Sequence, residues 1–150
     1  METEEAAVFH PIGRVRNGIT DRGHRGWRGV KSEIVVDPAF APSLDGLEGF
    51  SHIIVLYWMH ESRGPAPLKV HPQGRSELPL TGVFATRSPR RPNPIGLTIV
   101  EMERREGNVL RVTGLDAFDG TPVLDIKPYL PRDSVAGARY PDWVSKLNEW

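Results

Sequence analysis

Three arginines in residues 82–97 have the type and spacing to bind an anion. The segment reads Gly-Val-Phe-Ala-Thr-Arg-Ser-Pro-Arg-Arg-Pro-Asn-Pro-Ile-Gly-Leu, so Arg87, Arg90 and Arg91 are interleaved with three prolines. Because each proline fixes its own φ and extends the residue before it, this backbone is stiff. A guanidinium held on a stiff backbone loses little entropy when it grips an anion. The segment therefore predicts an anion-binding site, and the alternative is a solvated turn between two strands.

A second segment, residues 115–129, interleaves carboxylates, a lysine and a tyrosine with apolar residues. Asp119-Gly120 and Thr121-Pro122 are turn signals, and residues 123–126 are typical of a short strand. In an extended chain the polar side chains at alternate positions share one face: Asp125, Lys127 and Tyr129. The opposite face belongs to Leu124 and Ile126. One face is thus available for chemistry while the other packs, although an ordinary surface ion pair explains Asp125 and Lys127 equally well.

The composition is that of a globular protein. The chain has 150 residues, of which 39% are hydrophobic and 25% are charged. A chain of this size can bury roughly two thirds of its unfolded surface, so we expect one domain over residues 1–150. No stretch approaches the roughly 20 apolar residues of a membrane-spanning helix, and the first residues lack the parts of a signal peptide. The sequence predicts a cytoplasmic protein with no membrane partner.

The side chains that usually hold metals are scarce or scattered. The chain contains no cysteine, which excludes disulfides, thiolate zinc sites and iron–sulfur clusters. Five histidines lack close metal-ligand spacing: His10, His24, His52, His60 and His71. We therefore expect no bound metal.

Basic residues are concentrated in two stretches, although the net charge at pH 7 is zero. Residues 14–31 contain six arginines and lysines against the single acid Asp21, and residues 63–91 contain six against the single acid Glu77. If folding brings these stretches together, one face is basic enough to bind a nucleic-acid backbone. The alternative is a set of scattered, solvated charges.

Short strands separated by turn residues dominate the remaining pattern. The predicted strands are residues 8–16, 30–36, 51–60, 95–103, 109–115 and 123–126. Asn17-Gly18 is a tight-turn signal, and residues 39–49 have room for one short helical turn at most. Residues 51–60 are apolar on both faces and predict a central, fully covered strand. One helix is predicted after Asp142, with one apolar stripe: Trp143, Leu147 and Trp150. The fold class is all-β, either a barrel or a sandwich.

Several long motifs resemble the TsaA-like family, whose best understood branch is TrmO. The motifs are Pro11-Ile12-Gly13, residues 47–53 (Leu-Glu-Gly-Phe-Ser-His-Ile), 82–87 (Gly-Val-Phe-Ala-Thr-Arg), 91–96 (Arg-Pro-Asn-Pro-Ile-Gly), 119–122 (Asp-Gly-Thr-Pro) and 125–129 (Asp-Ile-Lys-Pro-Tyr). They span nearly the whole chain, and each is long and unusual in composition. TrmO uses S-adenosylmethionine to methylate N6 of threonylcarbamoyladenosine beside the tRNA anticodon. The resemblance implies that this chain has the same methyltransferase activity, that its partner is tRNA and that it forms a homodimer.

The resemblance also implies a fold and a cofactor pocket. The fold would be a small, closed or partly closed β-barrel with a short C-terminal helix. It would bind its cofactor outside the Rossmann scheme, and the chain indeed lacks a Gly-x-Gly-x-x-Gly motif after a strand. The implied pocket residues are His60, Glu61, Arg87, Leu97, Thr113, Gly114, Leu115 and Asp116. Arg87 suits the cofactor carboxylate because a guanidinium can bind it through two parallel hydrogen bonds.

Methyl transfer to this acceptor suggests roles for the remaining residues. An N6 that already carries a carbonyl substituent is a poor nucleophile, so a base that takes its proton would help. Asp125 and Tyr129, tuned by Lys127, are the candidates for that base, with Asp119 in reserve. The expected RNA contacts are Arg90 and Arg91 in the first segment and Arg25 and Arg28 in the basic loop.

The region between the first two strands departs from the family pattern. Family members usually carry a Pro-x-Gln element there that helps to hold the cofactor, whereas this chain has Gly-His-Arg-Gly-Trp-Arg-Gly at residues 23–29. Trp27 either stacks on the cofactor's adenine or is a buried structural residue. Two other functions remain open: a methyltransferase on another RNA or a small molecule, and a non-catalytic RNA-binding module.

Overall fold

Within the part of the chain that the structure describes, eight strands form, and six of them close into an antiparallel barrel. A computed structural model describes residues 5–148. The strands are β1 (Gly13–Arg16), β2 (Lys31–Val36), β3 (His52–Trp58), β4 (Lys69–Val70), β5 (Thr81–Gly82), β6 (Ile95–Glu106), β7 (Val109–Thr113) and β8 (Pro122–Pro128). The order around the barrel is β1-β2-β7-β6-β3-β8, and β8 pairs back to β1. Strands β4 and β5 form a separate two-stranded sheet. The predicted all-β barrel is confirmed, and it is closed.

Alternation of apolar and polar residues explains why these segments are barrel strands. On β6 every second residue from Gly96 to Met102 is buried, while the residues between them face outwards. Side chains that point inwards from all six strands fill the barrel and form its core. The core residues are Val15, Ile34, Val36, Leu44, Ile53, Val55, Tyr57, Val100, Met102, Leu110, Val112, Leu115, Ala117 and Val123.

Strand β3 is central, as predicted, but it is not covered on both faces. It pairs with β6 on one side and β8 on the other. Ile53, Val55 and Tyr57 are buried inside the barrel, whereas Trp58 on the outer face is 45% exposed. The apolar run was wrongly interpreted as two buried faces because apolarity does not distinguish a packed outer face from an exposed one.

The other differences from prediction lie at the ends of elements. Strand β1 begins at Gly13, and the preceding Val8 and Phe9 are exposed. Residues 39–49 hold parts of two 3-10 helices, Pro38–Leu44 and Leu47–Gly49, rather than one turn. The C-terminal helix is a 3-10 helix, Asp142–Lys146. Trp150, the last residue of its predicted stripe, lies outside the described residues.

The loops that carry the predicted site meet at one end of the barrel. Strands β1, β3 and β7 end there, and β2, β6 and β8 begin there, because neighbouring strands are antiparallel. We call this the upper end. Its connections are residues 17–30, 59–68, 83–94 and 114–121. Within residues 5–148, the chain has no helix of the length and apolarity that crossing a membrane requires.

Candidate functional site

Tyr57 is the central polar group at the upper end of the barrel. Its ring points inwards from β3 and lies against Gly96 of the paired strand β6. Its hydroxyl donates a hydrogen bond to the backbone carbonyl of Asp116 at 2.8 Å and accepts one from the hydroxyl of Thr98 at 2.8 Å. Burial raises the pKa of Tyr57 to about 12, so the phenol stays protonated at neutral pH. Tyr57 therefore fixes the position of residue 116 above the barrel.

Arg87 and Asp116 place opposite charges around the Tyr57 hydroxyl. Both are near enough for their charges to act on the Tyr57 phenol, with Arg87 lowering its pKa and Asp116 raising it. Asp116 is exposed as a residue, yet the partial burial of its carboxyl raises its pKa. The structure thus places two of the predicted cofactor residues, a cation and a partly desolvated carboxylate, within electrostatic reach of the same phenol.

His24 also belongs to this polar site, although the sequence did not indicate it as a site residue. Its imidazole lies near enough to Asp116 to oppose the rise in that carboxyl's pKa. The Nε2 atom of His24 is buried and has no hydrogen-bond partner within the described residues. A buried polar atom without a partner is uncommon and costly, which is typical of a group that a ligand completes. The only sequence signal was its place in the glycine-rich loop 23–29.

Trp27 is a structural residue of the same loop. It is 6% exposed. Its ring packs edge-on against His24, with centroids 4.5 Å apart, and against Phe118, with centroids 5.3 Å apart. Of the two alternatives for Trp27, the structure favours the buried structural residue, which holds loop 23–29 against the connection between β7 and β8.

The side chains of the run 113–116 lie in different surroundings. The Thr113 hydroxyl donates to a carboxylate oxygen of Glu103 at 3.0 Å on the outer surface, whereas Leu115 is fully buried in the core. Gly114 has φ +91°, a conformation that favours glycine, and it redirects the chain from β7 across the upper end. Asp116 is therefore the residue of this run whose carboxyl reaches the polar site.

His60 and Glu61 follow directly after β3 at the upper end. The His60 ring lies edge-on to Trp58, with centroids 6.0 Å apart. Glu61 forms an exposed ion pair with Arg22, with Nε and Oε2 3.4 Å apart. This pair joins the end of β3 to the loop between β1 and β2, but exposed pairs of this kind contribute little stability.

Leu97 lies on the outer face of the barrel, away from Leu115. It is 43% exposed, and it pairs across the sheet with Leu56 of β3. Together these strands present a contiguous apolar surface, which we call the outer ladder: Ile54, Leu56 and Trp58 on β3 and Ile95, Leu97 and Ile99 on β6. Within one chain, the two leucines predicted as walls of the cofactor pocket do not meet.

The predicted catalytic residues border the outer ladder. Asp125 lies opposite Leu56, and Lys127 lies opposite Ile54. The two polar residues share the outer face of β8, as predicted, and their carboxylate and Nζ are 2.9 Å apart. Ile126 packs against the core, but Leu124 does not occupy the inner face as predicted, because the register with β3 shifts at that point.

Tyr129 lies far from the upper end. Its backbone N–H donates to the carbonyl of His52, and its ring centroid is 6.3 Å from that of His52. Since His52 is the first residue of β3 and Trp58 the last, Tyr129 is displaced along the barrel by about 20 Å from the end of β3. Of the two candidates for the base, Asp125 therefore lies nearer to the upper end of the barrel than Tyr129 does.

Asp119 has a structural role rather than the reserve role of a base. Its Oδ1 accepts hydrogen bonds from the backbone N–H groups of Asn17 at 2.9 Å and Gly18 at 3.1 Å. These bonds lower the pKa of Asp119 and tie the loop after β1 to the loop before β8. A carboxylate with a lowered pKa is a weaker base.

Replacing Asp119 by alanine is expected to lower the free energy of unfolding by about 1–2 kcal/mol at neutral pH. Because the folded pKa is the lower one, the stabilisation is complete above the unfolded value, about 3.9, and is lost as the pH falls through the folded pKa. Urea unfolding at several pH values measures this. Asp142→Ala, on an exposed aspartate, is the control, and an unchanged pH profile for Asp119→Ala would contradict the assignment.

The arginine–proline segment 82–97 is held by its own hydrogen bonds. Arg91 donates through Nη1 to the carbonyls of Thr86 at 3.0 Å and Ser88 at 3.2 Å. Ser62 donates to the carbonyl of Pro89 at 2.8 Å, which fastens the segment to the loop after β3. The stiffness predicted from the prolines thus has additional causes in the fold.

The three arginines of this segment have three different environments. Arg87 acts on Tyr57, and Arg91 supports the loop backbone. Arg90 is exposed and lines a polar cleft together with Arg91, Arg63 and neighbouring residues of loop 62–66. Of the predicted RNA contacts, Arg90 is therefore placed to receive an anion, whereas Arg91 already serves the loop.

Many residues of the two basic stretches are paired with acids. The ion pairs are Arg16–Glu33, Arg22–Glu61, Lys31–Glu103 and Arg75–Glu77. Arg25 and Arg28 are exposed in loop 23–29, and Nη1 of Arg25 donates to the carbonyl of His24. The charge counts along the sequence did not include Glu33, Glu61 and Glu103, because these acids lie outside the two stretches and meet the basic residues only in the folded chain.

Fold and site define a class: a small closed antiparallel β-barrel with a charged polar site at one end and no Rossmann crevice. The family model described as the tRNA-methyltransferase O N-terminal domain matches residues 17–134. The chain therefore belongs to this family.

Two archaeal relatives are both described as probable S-adenosyl-L-methionine-binding proteins. A probable S-adenosyl-L-methionine-binding protein of Archaeoglobus fulgidus is 50% identical over 117 residues, which are 77% of this chain and 31% of that protein. A protein of the same description from Methanothermobacter thermautotrophicus is 47% identical over 125 residues, or 81% of this chain and 88% of that protein.

A mouse relative and a solved structure carry more specific descriptions. The tRNA (adenine(37)-N6)-methyltransferase of Mus musculus is 51% identical over 89 residues, which are 59% of this chain and 20% of that protein. A crystal structure of TrmO superposes with a TM-score of 0.73 and 38% identity, covering 91% of this chain and 64% of that one. The chain thus spans less than two thirds of this TrmO chain and of the A. fulgidus relative.

Proposed function

We propose that this chain is an S-adenosylmethionine-dependent tRNA methyltransferase that acts on the adenosine at position 37, at N6 of its threonylcarbamoyl form. The observation that carries the proposal is the family match over residues 17–134, a range in which Tyr57 is bonded to the backbone of Asp116 and lies within electrostatic reach of Arg87. The mouse relative, named for adenine 37 of tRNA, supports the acceptor, and the archaeal relatives, named for the cofactor, support the methyl donor.

The residues at the upper end fit the proposed cofactor. S-adenosylmethionine supplies the methyl group when bound, and it presents a carboxylate, an ammonium group and an adenine. Arg87 would hold the carboxylate, and the partly buried carboxyl of Asp116 would face a cationic or ribose group. The unpartnered Nε2 of His24 gives this site a further polar atom for a ligand. His60 and Glu61 follow β3 at the same end of the barrel.

The outer ladder supports a homodimer. Ile95, Leu97 and Ile99 are 44%, 43% and 46% exposed on adjacent outward positions of β6, and exposed apolar surface of this kind is typical of a protein interface. A second copy on this face would cover Leu97, which lies on the outer face of the barrel, whereas Leu115 is buried inside it. Contact with the partner would thereby remove the apolar side chains of the outer ladder from water.

Ile99→Glu is expected to convert the proposed dimer to a monomer, because it places a charge at the end of the outer ladder. Sedimentation velocity should give about twice the 16.8 kDa chain mass for the wild type and the chain mass for the variant. Val135→Glu, on an exposed apolar residue outside the ladder, is the control. A monomeric wild type would contradict the proposal.

Base catalysis by Asp125 predicts a specific loss of turnover. Asp125→Asn keeps the shape of the side chain but removes its basicity, so turnover is expected to fall by 10²- to 10⁴-fold with little change in cofactor affinity. Tyr129→Phe tests the second candidate in the same way. Near-normal turnover of both variants with bound cofactor would replace base catalysis by positioning of the acceptor alone.

Two measurements distinguish the proposed activity from its alternatives. Calorimetry with S-adenosylmethionine should give a binding signal, and its absence would leave the non-catalytic RNA-binding module. Nucleoside mass spectrometry of tRNA from cells with and without the gene should show loss of the N6-methylated nucleoside. An unchanged spectrum together with cofactor binding would indicate a methyltransferase on another RNA or a small molecule.

A further inference from the structure

Phe84 is an aromatic ring that the fold holds out in solvent. It is 77% exposed, although its neighbour in the same 3-10 helix, Val83, is 3% exposed. Thr86, at the end of this turn, is buried and donates from its hydroxyl to the carbonyl of Val83 at 2.8 Å. Since the turn is fixed on both sides by buried residues, the ring cannot withdraw into the core. The ring is therefore exposed because the fixed turn holds it there, and not because the chain is loose at this point.

An arginine is fixed beside this ring. The guanidinium carbon of Arg91 lies 6.0 Å from the ring centroid of Phe84, while its Nη1 is held by the carbonyls of Thr86 and Ser88. A guanidinium at this distance interacts favourably with the aromatic face. Because Arg91 is held by the backbone, it restrains the ring and leaves most of its surface free.

A polar cleft begins at the same arginine. Its lining residues include Arg63, Arg90 and Arg91, with Ser62 and the backbone of loop 62–66. Arg91 therefore borders both the cleft and the ring. Arg90 and Arg63 are both exposed, so two guanidinium groups other than the one restraining Phe84 line the cleft. An aromatic surface and an arginine-lined cleft thus lie next to each other on one rigid segment.

These two features match the two parts of one nucleotide. A base stacks on an aromatic ring whatever its sequence, while a neighbouring phosphate is bound by arginines. We propose that Phe84 is the stacking surface for an unpaired base of the RNA, and that the cleft between Arg63 and Arg90 binds the adjacent phosphate. The inference rests on the proposed function and adds to it a site for single-stranded RNA outside the polar site around Tyr57.

Charge favours RNA over an apolar protein partner at this position. Leu68 and Leu80 are also exposed, and the carbonyl of Leu68 accepts a hydrogen bond from the Val83 N–H, so apolar surface is present directly before strands β4 and β5. However, the side of Phe84 that continues into the cleft is bordered by arginines, and an unpaired charge buried against an apolar partner is costly. A nucleotide fits both features, because its base can stack on the Phe84 ring and its phosphate can pair with the arginines.

The test measures binding of a labelled anticodon stem-loop RNA by fluorescence anisotropy. Phe84→Ala is expected to weaken binding roughly 5- to 150-fold, the range for loss of one stacked base. Phe84→Leu should weaken it similarly because it keeps apolar area without an aromatic face, whereas Phe84→Trp should keep the affinity. Leu80→Ala, which removes an exposed apolar side chain directly before β5, is the matched control and should bind as the wild type does.

The salt dependence of RNA affinity distinguishes the contribution of base stacking from that of the phosphate contact. Arg63→Ala and Arg90→Ala should each reduce the slope of log affinity against log salt concentration by about 1, since each removes a phosphate contact. Phe84→Ala should leave that slope unchanged. Affinity for S-adenosylmethionine by calorimetry, and the sedimentation coefficient, should be unchanged in all Phe84 variants.

Several results would overturn the inference. Wild-type RNA affinity in both Phe84→Ala and Phe84→Leu would refute stacking while leaving the proposed function intact. Loss of cofactor affinity in these variants would place the ring against the cofactor, and a changed sedimentation coefficient would place it in a protein interface. A wild-type protein that binds no RNA would refute this inference together with tRNA as the substrate.

Discussion

Replacing Gly96 by alanine is expected to lower the free energy of unfolding by about 2 kcal/mol or more. A Cβ at this position would lie 2.2 Å from Cε2 of Tyr57, and that ring is buried and fixed by two hydrogen bonds. The ring cannot move aside without breaking those bonds or disturbing the core, so overpacking must shift the backbone of β3 or β6. Urea unfolding of the variant and the wild type measures the change.

Two comparisons separate this clash from a general effect of alanine. Gly82→Ala is the control, because a Cβ there meets nothing within 4 Å and its φ of −56° suits alanine. In a Tyr57→Val background the cost of Gly96→Ala should shrink, since the atoms that clash are gone. A cost that stays the same in both backgrounds would contradict the explanation.

Replacing Arg87 by alanine is expected to weaken S-adenosylmethionine binding by about 1.5–3 kcal/mol, or roughly 10- to 150-fold. The physical reason is the loss of the proposed charge-assisted hydrogen bond, made through two parallel N–H groups, to the cofactor carboxylate. Arg87→Lys should recover only part of the affinity, because an ammonium group has the charge but not the planar geometry. Isothermal titration calorimetry on the full chain measures all three proteins.

Arg90→Ala is the matched control for Arg87→Ala. It removes the same charge from the same segment, three residues away, but from the cleft rather than from the surroundings of Tyr57. Its cofactor affinity should equal that of the wild type. Equal losses in the two variants would mean that the segment acts through its total charge, and the division between Arg87 and Arg90 would be wrong.

The fold was predictable because its main signal is local. Alternation along residues 95–103 and 109–115 depends on neighbours within a few positions, so β6 and β7 were predicted to within a few residues. The closed barrel came from the family resemblance. Residues 51–60 show the limit of the local signal, because whether the outer face of β3 is covered depends on what packs against it.

The site was less predictable because it depends on pairs of distant residues. Tyr57 stood in an apolar run, and its role follows from its pairing with Gly96 and from the carbonyl of Asp116, both far along the chain. His24 became a candidate only when folding placed it near Asp116. By contrast, the rigidity of the arginine–proline segment was visible in the sequence, because proline restricts the backbone wherever it occurs.

Because β1 pairs with β8, the barrel can close only late in the synthesis of the chain. Gly13 lies opposite Val123, and Arg14 donates to the carbonyl of Gly120, 106 positions later in the chain. Closing so long a loop costs entropy before its contacts contribute, so folding is expected on the millisecond-to-second scale of β-rich domains. Until β8 has left the ribosome, β1 and β3 each lack a partner and their backbone edges can pair with other chains. Closure of the barrel thus ends the period in which the nascent chain is most prone to aggregate.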